Sequence, residues 1–456
     1  MKAKKTPFLK DVADSLHAAF GVQKKTLKHH LVGLEAEFLL LDNKGRIAHV
    51  ADEMLRKTGS HAKKECAKNM LEIAAIPSRV ATGTMHDMLD RTEQLLDVME
   101  KEGYSLYCCG TYPGSFTPSM RRGAAYGIKE KIFGRERFMI AGRCAGLHCH
   151  YTLPRGVFDS LSRHLKVSLN SKLSQSMVGG HNLLIALDPA FTALAQSSPY
   201  YQGQRYGKDA RVMFYRGSRI FGVEGLYTGF QEFGGLPRYT HTLLDVMHLI
   251  EDRFNEWSLL VKKLEVNMRA LALYGSVLET NWSPVKINPL GTFEMRGMDM
   301  NRFEIAASLA ALMKYVLKDV HENYLHVVDS DLAIQEPFKR AGSRILIPPY
   351  SYVSNVLQLE SVLYGMDSPL IQRYCSRFIA LARKTLPKDH KKFASLLNGM
   401  VQKKRTVSDE ILARAKRMGY HDQIPQHAAA ELALRIAEGT REDVERTRRL
   451  IARLDE

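Results

Sequence analysis

Three separated stretches of this chain place polar, mostly ionisable side chains two residues apart in what otherwise reads as β-strand: 33-GLEAEF-38, 145-AGLHCH-150 and 292-TFEMRGMD-299. Residues i and i+2 of a strand point to the same face. In 31-LVGLEAEFLLLD-42, Val32, Leu34, Ala36, Phe38 and Leu40 therefore share one face, and Glu35 and Glu37 share the other. His148 and His150 project together, away from Leu147, Cys149 and Tyr151, and Glu294 lies on one face with Arg296. Any one such pair is compatible with an ordinary solvated strand face. Three pairs on neighbouring strands would instead build a single floor of carboxylates and imidazoles. A sheet with one apolar face to cover and one chemically loaded face is the architecture this pattern selects.

Between these strands the chain alternates in character. Residues 8 to 20 read as a short amphipathic helix, and 42-DNKG-45 followed by 46-RIAHV-50 reads as a hairpin. An apolar segment, 69-NMLEIAAIP-77, precedes a helical pattern at 84–103 that ends on Gly103. Strand-like runs at 105–111 and 145–153 bracket a basic cluster, 119-SMRRGAAYGIKEKIFGRERF-138. Residues 157–195 read mainly as helix interrupted at 179-GG-180 and 188-DP-189, and 197–219 as an irregular Gly-, Arg- and Tyr-rich region. Helical patterns resume at 239–273 and 301–325, and from about 349 the chain reads as helix to its end. There Thr440 is placed as an N-cap with Asp443 three residues on. Antiparallel-looking strands mixed with long helices predict an α+β fold with a helical C-terminal part.

The totals narrow the functional classes. The 456 residues are 45% hydrophobic and 25% charged, enough to bury a core without staples. No apolar run approaches the roughly 18 residues of a membrane span, and the basic N-terminus lacks the apolar stretch of a secretory signal. The expectation is a cytoplasmic protein with no membrane partner. Six cysteines without CxxC pairs or a disulfide-like framework read as buried thiols in a reducing compartment. A net charge of +16 favours anionic partners. Nucleic acid is disfavoured, because no zinc finger, RNP motif or basic coiled-coil arm accompanies the charge.

Glu65 and Glu72, in 64-KECAKNMLEIAA-75, add two carboxylates, the second set among apolar residues. A buried carboxylate must be protonated or engaged by a cation. Oxygen ligands with one or two imidazoles suit Mg²⁺ or Mn²⁺ better than zinc. The chain has no GxxxxGK[ST] loop and no strand–GxGxxG–helix unit, so a bound nucleotide would depend on metal ions and Arg or Lys side chains.

With 186-ALDPAFTALAQSSPYYQG-203 added to the three strand motifs, the ordered set resembles the glutamine synthetase-like carboxylate–amine ligases, most closely the type 2 glutamate–cysteine ligase family, over about residues 30 to 345. The resemblance implies a curved, mainly antiparallel sheet backed by helices, with a catalytic domain at 30–385, an N-terminal helical segment at 1–29 and a helical C-terminal extension at 386–456. It implies that Glu37, Glu65 and Glu72 hold one divalent ion. Glu35, His148 and Glu294 would hold another that bridges the phosphates of ATP. His150 would lie beside the nucleotide, and Arg296 would act with Glu294 at the transferring phosphoryl group. The implied reaction is ATP-dependent amide formation through an acyl phosphate, with glutamate or a related acid and an amine as substrates. Arg211 and Arg216 are candidates for the substrate α-carboxylate, since a guanidinium fork matches that group, with a surface basic patch as the alternative. Two departures from the family pattern are Ala36 inside the first motif and Tyr151-Thr152 after the histidines. A guanidino phosphotransferase on the same general fold and a nonenzymatic nucleic-acid-binding or regulatory protein stay open as alternatives. So do the two substrates, the oligomeric state, where a homo-oligomer is one option, and the role of the extension.

Overall fold

In the computed structural model, which describes residues 30–166, 171–266 and 276–455, the strand pattern is realised as one sheet. In chain order the strands are β1 (Val32–Asp42), β2 (Lys63–Lys64), β3 (Met70–Ala74), β4 (Tyr104–Tyr107) and β5 (Gly146–Thr152). Two short hairpins follow, β6–β7 (Phe158–Asp159, His164–Leu165) and β8–β9 (Tyr200–Tyr201, Gln204–Arg205), and then β10 (Val285–Asn288) and β11 (Thr292–Asp299). Strands β10-β11-β5-β1-β3-β2 lie side by side in that order, with β4 also paired to β1, and every pairing is antiparallel. The helix proposed for residues 8–20, and the whole 1–29 segment, lie outside the described residues.

The apolar face carries the core. Val32, Leu34, Ala36, Phe38 and Leu40 are all buried, and the helices Ala81–Lys101, Ser171–Leu194 and Phe303–Glu322 pack behind the sheet. The Ser171–Leu194 helix is buried on every side from Ser176 onward. It runs straight through the two places expected to interrupt it. Gly179 and Gly180 allow close packing instead: a Cβ on Gly180 would sit 3.0 Å from His321 Nε2 and 3.2 Å from Phe293. Pro189 lies within the helix, where tertiary packing on all sides overrides the local penalty. Residues 158–165 form the β6–β7 hairpin rather than the start of that helix. The expected hairpin after β1 reduces to a turn, with Asp42 accepting from the Lys44 and Arg46 amides and a single bridge from Leu41 to Ile47.

The C-terminal helices belong to the same core. Leu397, Ile411, Leu432 and Ile451 join one buried cluster with Phe38. Thr440 and Asp443 do not form a local cap on their own helix. The Thr440 hydroxyl donates to the Leu106 carbonyl, and Asp443 accepts the Phe303 amide at 2.8 Å, capping the Phe303–Glu322 helix from 140 residues away.

Candidate active site

Strand register decides which polar side chains meet. Across β1 and β3, Glu37 faces Glu72; across β1 and β5, Glu35 faces His148; across β5 and β11, His150 faces Glu294; across β10 and β11, Lys286 faces Glu294. The three sequence pairs thus share one floor, and Glu65, just beyond β2, joins it. Two compact groups result, each offering ligand atoms within 4.8 Å of one another: Glu37, Glu65 and Glu72, and Glu35, His150 and Glu294. The first is the trio the resemblance implied. In the second, His150 stands where His148 was expected. His148 lies between the groups, its Nδ1 3.3 Å from Glu35 and 3.9 Å from Glu294, and its Nε2 3.6 Å from Glu37.

The floor opens into a cavity of about 310 Å³ lined also by Tyr126, Lys129, Tyr215, Trp282, Lys286 and Arg296. Its far wall is a second apolar cluster that includes Phe133, Tyr227, Phe233, Trp257 and Trp282. Arg296 enters at an irregularity in β11, where pairing with β5 shifts between Met295 and Met298. Gly297, in the same kink, permits a close approach: a Cβ there would lie 2.5 Å from both Arg216 Nη2 and Asp188 Oδ1.

Of the two arginines expected at the substrate carboxylate, Arg216 is engaged within the protein and Arg211 borders the floor. Arg216 gives its fork to Asp188, at 2.6 and 2.7 Å, with a further bond to Gln358, and both members of the pair are buried. Arg211 is buried over Gly146, whose missing Cβ makes room for the guanidinium on the same strand face as His148, and its charge acts on Glu37 at the edge of the floor. Neither arginine lines the main cavity.

The sequence profile of glutamate–cysteine ligase family 2 (GCS2) matches residues 31–341. The chain belongs to this family. Its similarity to curated relatives extends further. It is 25% identical over 420 residues to a putative glutamate–cysteine ligase 2 of Clavibacter michiganensis, covering 89% of each chain, and 23% identical over 360 residues to one of Micrococcus luteus, covering 75% of this chain and 73% of the relative. Among solved structures, the glutamate–cysteine ligase of Francisella tularensis in complex with AMP superposes with a TM-score of 0.58 at 14% identity over 93% of this chain and 92% of that one. A bifunctional glutathione synthetase of Pasteurella multocida gives 0.54 at 12% identity over 91% of this chain and 52% of that one. These similarities establish the mixed α+β ligase fold, and the family is one of ATP-dependent carbon–nitrogen ligases.

The two carboxylate groups of this family 2 ligase differ electrostatically. Burial and the charge of Glu35 push Glu72 well above the usual carboxylate range, and burial with the charge of Glu37 raises Glu65. Burial raises Glu37 too, against the pull of Arg211. Among the described residues, the one Lys or Arg within ion-pair distance of this trio is the exposed Lys63, 3.6 Å from Glu72. Three crowded oxygen donors whose carboxyls are all pushed up by burial fit a hard divalent cation. In the second group, burial would raise Glu294, but Lys286, Arg296 and His150 outweigh it and hold the carboxyl ionised. Both its oxygens are engaged, by Arg296 at 3.2 Å and by Asn288 at 2.7 Å. Glu35 is likewise held below its usual range, burial being outweighed by the His150 charge and by hydrogen bonds from both histidines. Here Glu35 and His150 face each other, His150 Nε2 lying 3.4 Å from Glu35 while its Nδ1 pairs with the Thr292 hydroxyl.

Sequence reasoning passed over Lys286 and Asn288, although 285-VKIN-288 repeats the same i, i+2 device on a fourth strand. Lys129 and the aromatic wall carried no comparable signal, since helical and loop residues reach the cavity only through tertiary placement.

Proposed function

We propose that this ligase joins glutamate or a closely related acid to an amine, using ATP and an acyl phosphate intermediate. The observation that carries this reading is the convergence of both carboxylate groups and Arg296 on one cavity of about 310 Å³. A carboxylate oxygen of the acid attacks the γ-phosphorus, the bond to the bridging oxygen of ADP breaks, and the acyl phosphate forms. The amine nitrogen then attacks the acyl carbon, phosphate leaves, and the nitrogen loses a proton.

Glu37, Glu65 and Glu72 would hold one Mg²⁺ or Mn²⁺, and Glu35 and His150, with His148 and Glu294 beside them, a second. Bound there, such ions neutralise and orient phosphate oxygens. Arg296, kept firmly charged by Glu294, offsets charge on the transferring phosphoryl group, where positioning and electrostatics supply most of the acceleration. The aromatic wall excludes water from an intermediate that would otherwise hydrolyse. Similarity to a ligase crystallised with AMP supports a nucleotide in this cavity.

The test is ADP release with Mg·ATP and glutamate, with and without cysteine and a panel of amino acids and amines, followed by mass spectrometry. Amine-dependent turnover with a condensed product, abolished in Glu294→Ala, is expected. ADP release to a guanidino acceptor with no amide product would replace this reading with the phosphotransferase one.

A further inference from the structure

Lys129 sits on the helix Ala124–Phe133, away from the sheet, and lines the cavity opposite the carboxylate floor. Its Nζ lies 4.6 Å from the centre of the Trp282 ring and 5.9 Å from that of Tyr126, so two aromatic faces hold the ammonium in place. The other lysine and the arginine of the cavity, Lys286 and Arg296, are both paired with Glu294. Lys129 is different: among the described residues, no carboxylate lies within ion-pair distance of it. Burial, the largest influence, lowers it to about 8. A half-buried ammonium that has π faces but no paired carboxylate is only partly compensated. Its position points that deficit at the space where substrate would sit.

We propose that Lys129 is the oxyanion-binding residue of this cavity's helical wall, taking a carboxylate or phosphoryl oxygen of a substrate. Trp282 and Tyr126 pre-position the ammonium, so little side-chain entropy is lost when the anion arrives. The assignment rests on the ligase reading only for which substrate supplies the oxyanion: ATP through its phosphate chain, or the acid through its carboxylate.

Calorimetric binding to wild type, Lys129→Met and Lys129→Arg separates the cases, with Mg·ATP, glutamate, inorganic pyrophosphate and malonate as probes and melting temperatures as the folding control. Lys129→Met is expected to weaken one class of probe by about tenfold or more, as for loss of a charge-assisted contact. Lys129→Arg is expected to stay within about threefold of wild type, because it keeps the cation and the ring contacts. Loss confined to ATP and pyrophosphate identifies a phosphoryl oxygen; loss confined to glutamate and malonate identifies a carboxylate. Unchanged affinities in Lys129→Met, or equal losses in both variants, overturn the assignment. Should wild type bind neither ATP nor glutamate, the ligase reading fails by itself. Lys129 is then judged on pyrophosphate and malonate, and failure of both to bind wild type overturns it as well.

Discussion

Replacing Glu72 by Gln should stabilise the metal-free protein while removing most of its response to divalent ions. Glu72 faces Glu37 across the β1–β3 ladder, and its ligand oxygen lies within 4.8 Å of those of Glu37 and Glu65. At 4.8 Å and an effective dielectric of about 20, each charged pair repels by about 3.5 kcal/mol. Proton uptake relieves part of that repulsion, leaving on the order of 1–3 kcal/mol to be gained when an isosteric amide removes one charge. In EDTA, Glu72→Gln should therefore melt a few degrees above wild type, at about 2 °C per kcal/mol for a chain of this size. At a concentration of Mn²⁺ one hundred times its dissociation constant, wild type should gain about 2.7 kcal/mol by mass action, and the variant little of it. Differential scanning fluorimetry with and without the ion reads both effects. A variant less stable than wild type in EDTA, or one with an equal metal-induced rise, would refute the reasoning that these carboxylates are a frustrated cation site.

Asp188→Ala should cost about 3–5 kcal/mol, because it strands the buried Arg216 guanidinium without its bidentate partner; urea melts showing under 1 kcal/mol would contradict this. His181 is buried and lowered to about 4, chiefly by burial. It stays neutral in the fold while the unfolded chain takes up a proton below about pH 6.5, so its contribution to stability is lost as the pH falls from about 6.5 towards 4. His181→Phe should remove about 2 kcal/mol of the stability lost between pH 7 and 4.5, and parallel acid limbs for the two proteins would exclude the effect. Asp443→Ala removes the cap on the Phe303 amide and should destabilise by about 1–2 kcal/mol, checked by the shift in denaturation midpoint. No shift would mean that water replaces the cap.

Much of the floor was legible because strand periodicity is local. Alternation around Glu35, Glu37, His148, His150 and Glu294 needs only the knowledge that neighbours on a strand point to opposite faces. Lys286 and Asn288 were legible by the same rule, in a run of four residues too short to stand out. The pairing of Arg216 with Asp188 was not legible, because Asp188 lies on a different helix and a guanidinium fork looks the same in sequence whether it serves a substrate or a buried carboxylate. The glycines at 179 and 180 read as breaks because helix propensity is local, whereas Gly180 lets β11 and the Phe303–Glu322 helix approach closely and Gly179 packs against Leu325 and Val327.

The sequence by itself determined the polar strand faces, the excess of hard oxygen ligands and, through four ordered motifs, the family. Only the tertiary structure decided how those groups divide. Antiparallel register sets Glu37 opposite Glu72 and His150 opposite Glu294, so His150 rather than His148 completes the second compact group. Chain packing brings Lys129 and Trp282 over the floor from elements well apart in sequence, and draws the C-terminal helices into the central core. The physical reason is the range of the forces: side-chain alternation follows from backbone geometry within a few residues, while the pairing of charges and the closing of a cavity depend on contacts between segments that meet only when the whole chain has folded.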